Sequence, residues 1–412
     1  MLILLTMDNK NNKLHFASLA YKVDGARKSG KESLAKELVK FGEYNDFPDY
    51  LVNLFNNSSI HETCVNAIVE AIKGDGLVAE PTWVLDVANS EKESWNNIYS
   101  KIALDYYLFG GFALEIIYNK LRTKVSEVYH IPFASVRAKE ANHRGICEGY
   151  WIAHDWDTRG KYNVDLAKAV YMPSYNPDRK DEEPAQLYYF KPYHPLQRYY
   201  PLPAYVGALK VIELDTEIDN FHVSNIKNGL APSIAITTFT NGSDDDRRAI
   251  ENQLRLQYQG SSQAGQMFYM DVDSLENKPI IEPIPQNGAD GYYVAINDMV
   301  VQKILTAHRI TSPMLLGIKT EGQLGGATEM LDAYTLFLNM VIKPYQQALL
   351  SVLEELLGMK YPEFEITLGV EQKQILDTGV DEVDVITSKE AESGDDAMLE
   401  TEINEDIAEA SL

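Results

Sequence analysis

The sequence predicts an α+β fold whose packed body is interrupted by a helix, a small α/β insert and a second helix, and is closed by one long helix. Three observations predict it. Capped helical segments fill residues 46–109, side chains alternate with period two between Phe112 and Lys191, and helical periodicity returns at Ala204 and again at Asn297. At 412 residues, 45% hydrophobic and 10% aromatic, the chain can hold two or three domains with a substantial core.

The first residues, Met1 to Leu5, form too short an apolar run for a signal peptide, and nowhere do about 18 apolar residues follow one another. A soluble cytoplasmic product without a membrane partner is expected. Residues 1–43 read as a polar N-terminal segment. Within it Gly25, Gly30 and Lys31 have the spacing of a phosphate-binding loop, but Glu32 stands where Ser or Thr would hold Mg²⁺. A carboxylate there repels phosphate, so a nucleotide-hydrolysing enzyme is kept only as an alternative. No cofactor is expected.

Asp46-Phe47-Pro48 opens a helix through Phe55, with proline early in the helix where its missing N–H costs little. Ser59 and Glu62 then have capping-box spacing, and Ile60, Cys64, Ile68 and Ile72 share one face before Gly74. His61-Glu62 begins like a zinc-protease helix, yet Val65 occupies the position of the second histidine, so no metal site is expected. Ser90 and Glu93 form a second capping box for a helix ending at Gly110-Gly111. Cys64 and Cys147 read as two unlinked thiols.

Residues 112–119, 124–131, 149–155, 167–172 and 186–191 alternate as strands of a mostly antiparallel sheet with tyrosine-rich faces. The first 200 residues thus read as one α+β domain. Pro201 and Pro203 end it. Residues 204–228 are helical again, with Val211, Leu214, Ile218 and Phe221 on one stripe and Ala208 and Ile212 beside it. Glu213 and Glu217 are one turn apart, as are Asp215 and Asp219, and none has a cation four residues on to pair with it. That face is either a solvated surface or an electronegative wall. Strand-like runs at 231–239 and 266–272, with a helix at 243–258 between them, read as a βαβ-like insert.

In residues 297–358 a capped helix ends at Ile310-Thr311-Ser312-Pro313, and a loop with three glycines follows around Lys319, Glu321 and Gln323. A long helix then carries Leu331, Tyr334, Leu338, Val341, Tyr345, Ala348, Val352 and Leu356 at steps of three and four. Pro344 inside it deletes one backbone hydrogen bond, so a kink is expected there.

The net charge of −24 is uneven, because residues 371–409 hold fourteen acidic residues against two basic ones. That block reads as a solvated, disordered tail. Without it 35 basic and 47 acidic residues remain, still net negative, which argues against a surface that grips nucleic acid tightly. It leaves room for a wall past which DNA slides. No nucleophile elbow or paired thiol motif offers a catalytic centre, and no enzymatic activity is expected.

Several short segments, in this order, resemble the portal proteins of tailed double-stranded DNA bacteriophages, in particular the compact group of about 400 residues. They are Tyr50 to Ser58 with Cys64 to Ile68; Tyr107 to Ala113; Ile131-Pro132 with Val136-Arg137; Asn228 to Ser233; Tyr258-Gln259-Gly260 with Ala264-Gly265-Gln266; and His308 to Gly317. The resemblance implies a wing domain over 44–203, stem helices over 204–228 and 292–310, a clip over 229–291 and a tunnel-loop region over 311–328. It also implies a long kinked helix over 329–358 and a short C-terminal segment with the acidic tail over 359–412.

By the same resemblance the chain would form a dodecameric ring at the unique capsid vertex of the virion, after assembly in the host cytoplasm. Its implied partners are other copies of itself, the major capsid protein, the large terminase subunit, the head-tail connector or adaptor, and double-stranded DNA in the channel. Glu213, Glu217 and Asp219 would line the stem. Ile318, Lys319, Thr320, Glu321 and Gln323 would form the DNA-facing loop, and Asp244, Arg247, Arg248 and Gln257 would dock the terminase or connector. The sequence departs from many portals in having no long crown after Gly358. A capsid or connector subunit is the alternative within the virion.

Overall fold

A computed structural model describes residues 38–154, 156, 169–227, 235–238, 268–271, 289–310, 312–316, 327–373 and 385–387. The chain divides into two compact units: Met1–Asn53, Val65–Val206 and Gly326–Leu412 form the first, and Leu54–Cys64 with Gly207–Gly325 form the second.

Helices α1 (Phe47–Asn57) and α2 (Ser59–Lys73) come first. Ser58, one residue before the expected cap, accepts the His61 N–H on Oγ at 3.2 Å, and its carbonyl accepts the Glu62 N–H. Ser59 is already in the first turn. Helix α3 (Trp95–Phe109) likewise starts later than its expected capping box, with Ser94 Oγ accepting the Asn97 N–H. Asn89 explains the delay: its Oδ1 accepts the N–H groups of Glu91 and Glu93, folding residues 89–93 into a local turn that competes with the helix.

Gly110 ends α3 at φ +84°, and a β-carbon there would lie 2.4 Å from the Leu202 carbonyl oxygen. Both the left-handed backbone and the close approach require glycine. Strand β1 (Gly76–Glu80) precedes α3, and β2 (Phe112–Tyr118), β3 (Val125–Ile131), β4 (Val136–Ala138), β5 (Gly149–Ile152), β6 (Val170–Pro173) and β7 (Ala185–Phe190) follow it. They pair antiparallel in orders β3-β2-β7 and β4-β5-β6 rather than in one sheet. Pro132 supplies the reason, since it has no ladder donor and leads into the 3-10 turn Phe133–Ser135 that starts the second sheet.

The long C-terminal helix is built in three parts: α6 (Ala327–Phe337, numbered after the two helices of the second unit), a π turn (Leu338–Ile342) and α7 (Lys343–Lys360). Pro344 lies in the first turn of α7, and the Lys343 N–H reaches back five residues to Leu338 O. The π turn moves the missing donor to a helix start, where nothing is lost. It also shifts the helical phase. Of the expected stripe Val341, Val352 and Leu356 are buried, Leu331 is exposed and Tyr345 and Ala348 are half-buried, whereas Leu349, Leu350, Leu353 and Leu357, outside that stripe, are fully buried.

Those leucines lie in the core of the first unit, where α7 packs against α3 and β3. Each such side chain contributes about 1.5–3 kcal/mol through removal from water. Gln346 Nε2 donates to Ile72 O at 3.0 Å, and Lys360 Nζ donates to Ala88 O and Ser126 O, both at 2.7 Å. Cys64 and Cys147 are unlinked. Strand β10 (Thr367–Glu371) pairs with β1, and β11 (Val385–Thr387) pairs with β10. The acidic tail is therefore not structureless throughout, because three β-branched residues within it form an edge strand.

A 3-10 turn (Val206–Ala208) leads into α4 (Leu209–Lys227) of the second unit, and α5 (Ala289–Ala307) packs along α4. Strand β8 (Ala235–Thr238) runs parallel to β9 (Phe268–Asp271), as a βαβ insert requires, although its expected helix at 243–258 lies outside the described residues. Helix α5 begins eight residues before Asn297, which is an exposed interior position and caps nothing.

Candidate functional site: an acidic helix pair

Ala208, in the turn before α4, and Leu209 and Ile212 of α4 are buried, as are Val300, Ile304 and Leu305 of α5, which packs along α4. The stripe expected from sequence was centred one step away: Leu214 is exposed and Val211 and Ile218 are half-buried. Asp215 continues the line of Ala208 and Ile212, so it is buried at 5% exposure rather than solvated. Ser58 Oγ donates to its Oδ2 at 2.7 Å. Burial pushes the Asp215 carboxyl above its ordinary range, the Ser58 hydrogen bond opposes this, and the nearby Asp219 charge reinforces it.

A second polar tie joins α2 to the residue just after α5. His61 Nδ1 and His308 Nε2 lie 2.9 Å apart, both rings buried, one donating to the other. Burial lowers His61 to about 4 and, with repulsion from His61, lowers His308 to about 3. Both rings are therefore neutral near pH 7. Sequence reasoning weighed His61 only as a metal ligand and missed Ser58, Asp215 and His308 as a group. The available signal was Asp215, a carboxylate three residues after Ile212 on an apolar line.

With that face closed, Glu213, Glu217 and Asp219 all point to solvent. Among the described residues none of them forms an ion pair. The described exposed side chains of the helix pair include four acids, Glu213, Glu217, Asp219 and Asp298, against Lys210 and Lys303. Like charges one turn apart cost a few tenths of a kcal/mol per pair, an affordable repulsion only in water. Such a face, its described acids outnumbering its described cations four to two, repels a polyanion, since duplex DNA carries one negative charge per about 1.7 Å.

The loop positions Ile318, Lys319, Thr320, Glu321 and Gln323 and the clip positions Asp244, Arg247, Arg248 and Gln257 lie outside the described residues. The phosphate-loop-like segment at 25–32 does too. Among the described residues no group of three or more His, Cys, Asp or Glu side chains could hold a metal ion, and no helix is long and apolar enough to cross a membrane.

A family model described as "Phage portal protein" matches residues 69–377. No curated protein matches the chain. Among solved structures, the chain is similar to a component of the neck of an empty gene transfer agent particle, computed with C6 symmetry. There the TM-score is 0.50 at 16% identity, over 80% of this chain and 85% of that one. A component of the virion of a native gene transfer agent particle gives 0.48 at 14%, over 80% and 84%. An HK97-family phage portal protein from Corynebacterium diphtheriae gives 0.42 at 13%, over 77% and 93%. At these identities the likeness concerns the fold.

Proposed function

The chain belongs to the phage portal protein family, and from that premise we propose that α4 and α5 are the stem of a closed ring whose channel passes double-stranded DNA. The observation that carries this reading is the division of α4 into two faces. One is sealed by Ile212 and the Ser58–Asp215 hydrogen bond, and the other presents Glu213, Glu217 and Asp219 to solvent. A channel wall lined with cations would hold DNA in place, because each neutralised phosphate adds affinity. An acidic wall leaves the duplex free to slide.

The ring, twelve copies in this reading, sits at the unique capsid vertex of the virion after assembly in the host cytoplasm. It contacts the major capsid protein, docks the large terminase subunit during packaging and later holds the head-tail connector, and DNA leaves by the same channel. It works as a structural conduit rather than as an enzyme. The docking positions are Asp244, Arg247, Arg248 and Gln257, and Ile318, Lys319, Thr320, Glu321 and Gln323 form the loop that meets the duplex.

The triple variant Glu213→Lys, Glu217→Lys and Asp219→Lys tests the assignment. Rings should form normally, retain DNA in a salt-dependent manner and package it more slowly, with retention falling steeply between about 50 and 200 mM salt. Rings that neither bind DNA nor slow packaging would remove these residues from the channel.

A further inference from the structure

Two exposed apolar patches of the first unit have opposite electrostatic character. In the first, Trp83 is 44% exposed and Phe364 50% exposed, and the Trp83 ring meets Phe364 edge-on at 5.2 Å and Tyr361 at 5.1 Å. Leu121, 80% exposed, projects from the β2–β3 turn, which an ion pair between Lys124 and Glu363 at 3.5 Å ties to the same place. Exposed Asp86, Glu363 and Glu365 flank the rings in sequence, with Lys124 and the largely buried Lys360, whose ammonium lies 5.8 Å from the Tyr361 ring centre, as nearby cations. The patch is aromatic with an acidic rim.

The second patch is the turn after β7. Tyr193 is 90% exposed and Leu196 84%. The Lys191 ammonium holds the turn by donating to Gln197 O at 3.2 Å. Arg198 Nη2 donates to Gly145 O at 3.2 Å, which brings exposed Arg144 and Ile146 alongside. Lys191, Arg198 and Arg144 make this surface cationic in a chain of net charge −24.

The two patches leave opposite ends of one strand. Phe112 at the start of β2 pairs with Phe190, from which the cationic turn departs, and Tyr118 at its end leads into the turn bearing Leu121. Seven residues of strand put them roughly 20 Å apart, so one copy cannot satisfy both itself. An apolar projection with a basic rim at one end and an aromatic platform with an acidic rim at the other suit a heterologous contact, the kind that closes into a ring.

We propose that the Tyr193–Leu196 turn of one copy seats on the Trp83, Leu121 and Phe364 platform of its neighbour. This rests on the ring assembly proposed above and assigns a contact that makes it. Aromatic and arginine side chains are the groups that commonly dominate such interfaces.

The test places a photo-crosslinking phenylalanine derivative at Tyr193 in the full chain, with mass spectrometry of rings separated from free subunits. Crosslinks from Tyr193 to peptides containing Trp83, Leu121 or Phe364, in a product of twice the chain mass, are expected. In parallel, Leu196→Asp, repeated at every interface of the ring, should lower ring yield about tenfold or more, about 1.4 kcal/mol summed over the whole ring. Rings that form with crosslinks mapping elsewhere, or with no crosslink between copies, overturn the pairing and leave the ring assembly standing. Failure of the unmodified chain to form rings under any condition would remove both.

Discussion

At the scale of single residues, the second unit depends on side chains whose ionisation is set by burial. His61 and His308 titrate near 4 and 3 in the folded protein, below the usual 6.5. Between those values the unfolded chain binds more protons, so stability is full above about pH 6.5 and is lost as pH falls toward 4. For His61 alone the loss reaches roughly 2 kcal/mol by pH 5. Denaturant unfolding at pH 7.5 and pH 5 should show it, and His61→Asn should lose about half of the difference, because burial still depresses His308; an unchanged pH dependence in the variant would mean that the pair does not control acid sensitivity. None of this was legible in the sequence. The two histidines are 247 positions apart, and only the fold sets their rings 2.9 Å from each other.

At the scale of elements, local signals located most helices and strands and failed where two local preferences competed. The period-two runs after Phe112 became strands within a few residues of their expected bounds, because alternation with β-branched and aromatic side chains is a strong signal. Both capping boxes misplaced the helix starts, by one residue at Ser58 and by four at Ser94, since S/T-x-x-E spacing cannot show which serine has extended backbone. The buried face of α4 differs from the expected one because Asp215, polar by type, is buried and accepts a hydrogen bond from Ser58. For the long helix, a regular 3.6 period assumed no π turn. There, buried Val341 and Ile342 hold the turn in place, so Pro344→Ala should change thermal stability by under about 1 kcal/mol. A loss near 3 kcal/mol would instead mean that proline itself dictates the π turn.

At the scale of the whole molecule, the order of parts was readable although no part alone was decisive. Short motifs spread from Tyr50 to Gly317 pointed to the portal family, whose model matches residues 69–377. The division into units was harder to read, because 54–64 and 326–412 join their units through tertiary packing rather than sequence proximity. The acidic C-terminal run concealed β11, three residues of strand among fourteen acidic side chains. The central claim is a ring whose channel is lined by the outward face of α4. Electron microscopy of the purified full-length chain, carried to a resolution that traces helices, tests it most directly. The account predicts closed rings with Glu213, Glu217 and Asp219 facing the axis. Monomers under every assembly condition, or rings in which those three residues face away from the channel, would contradict it.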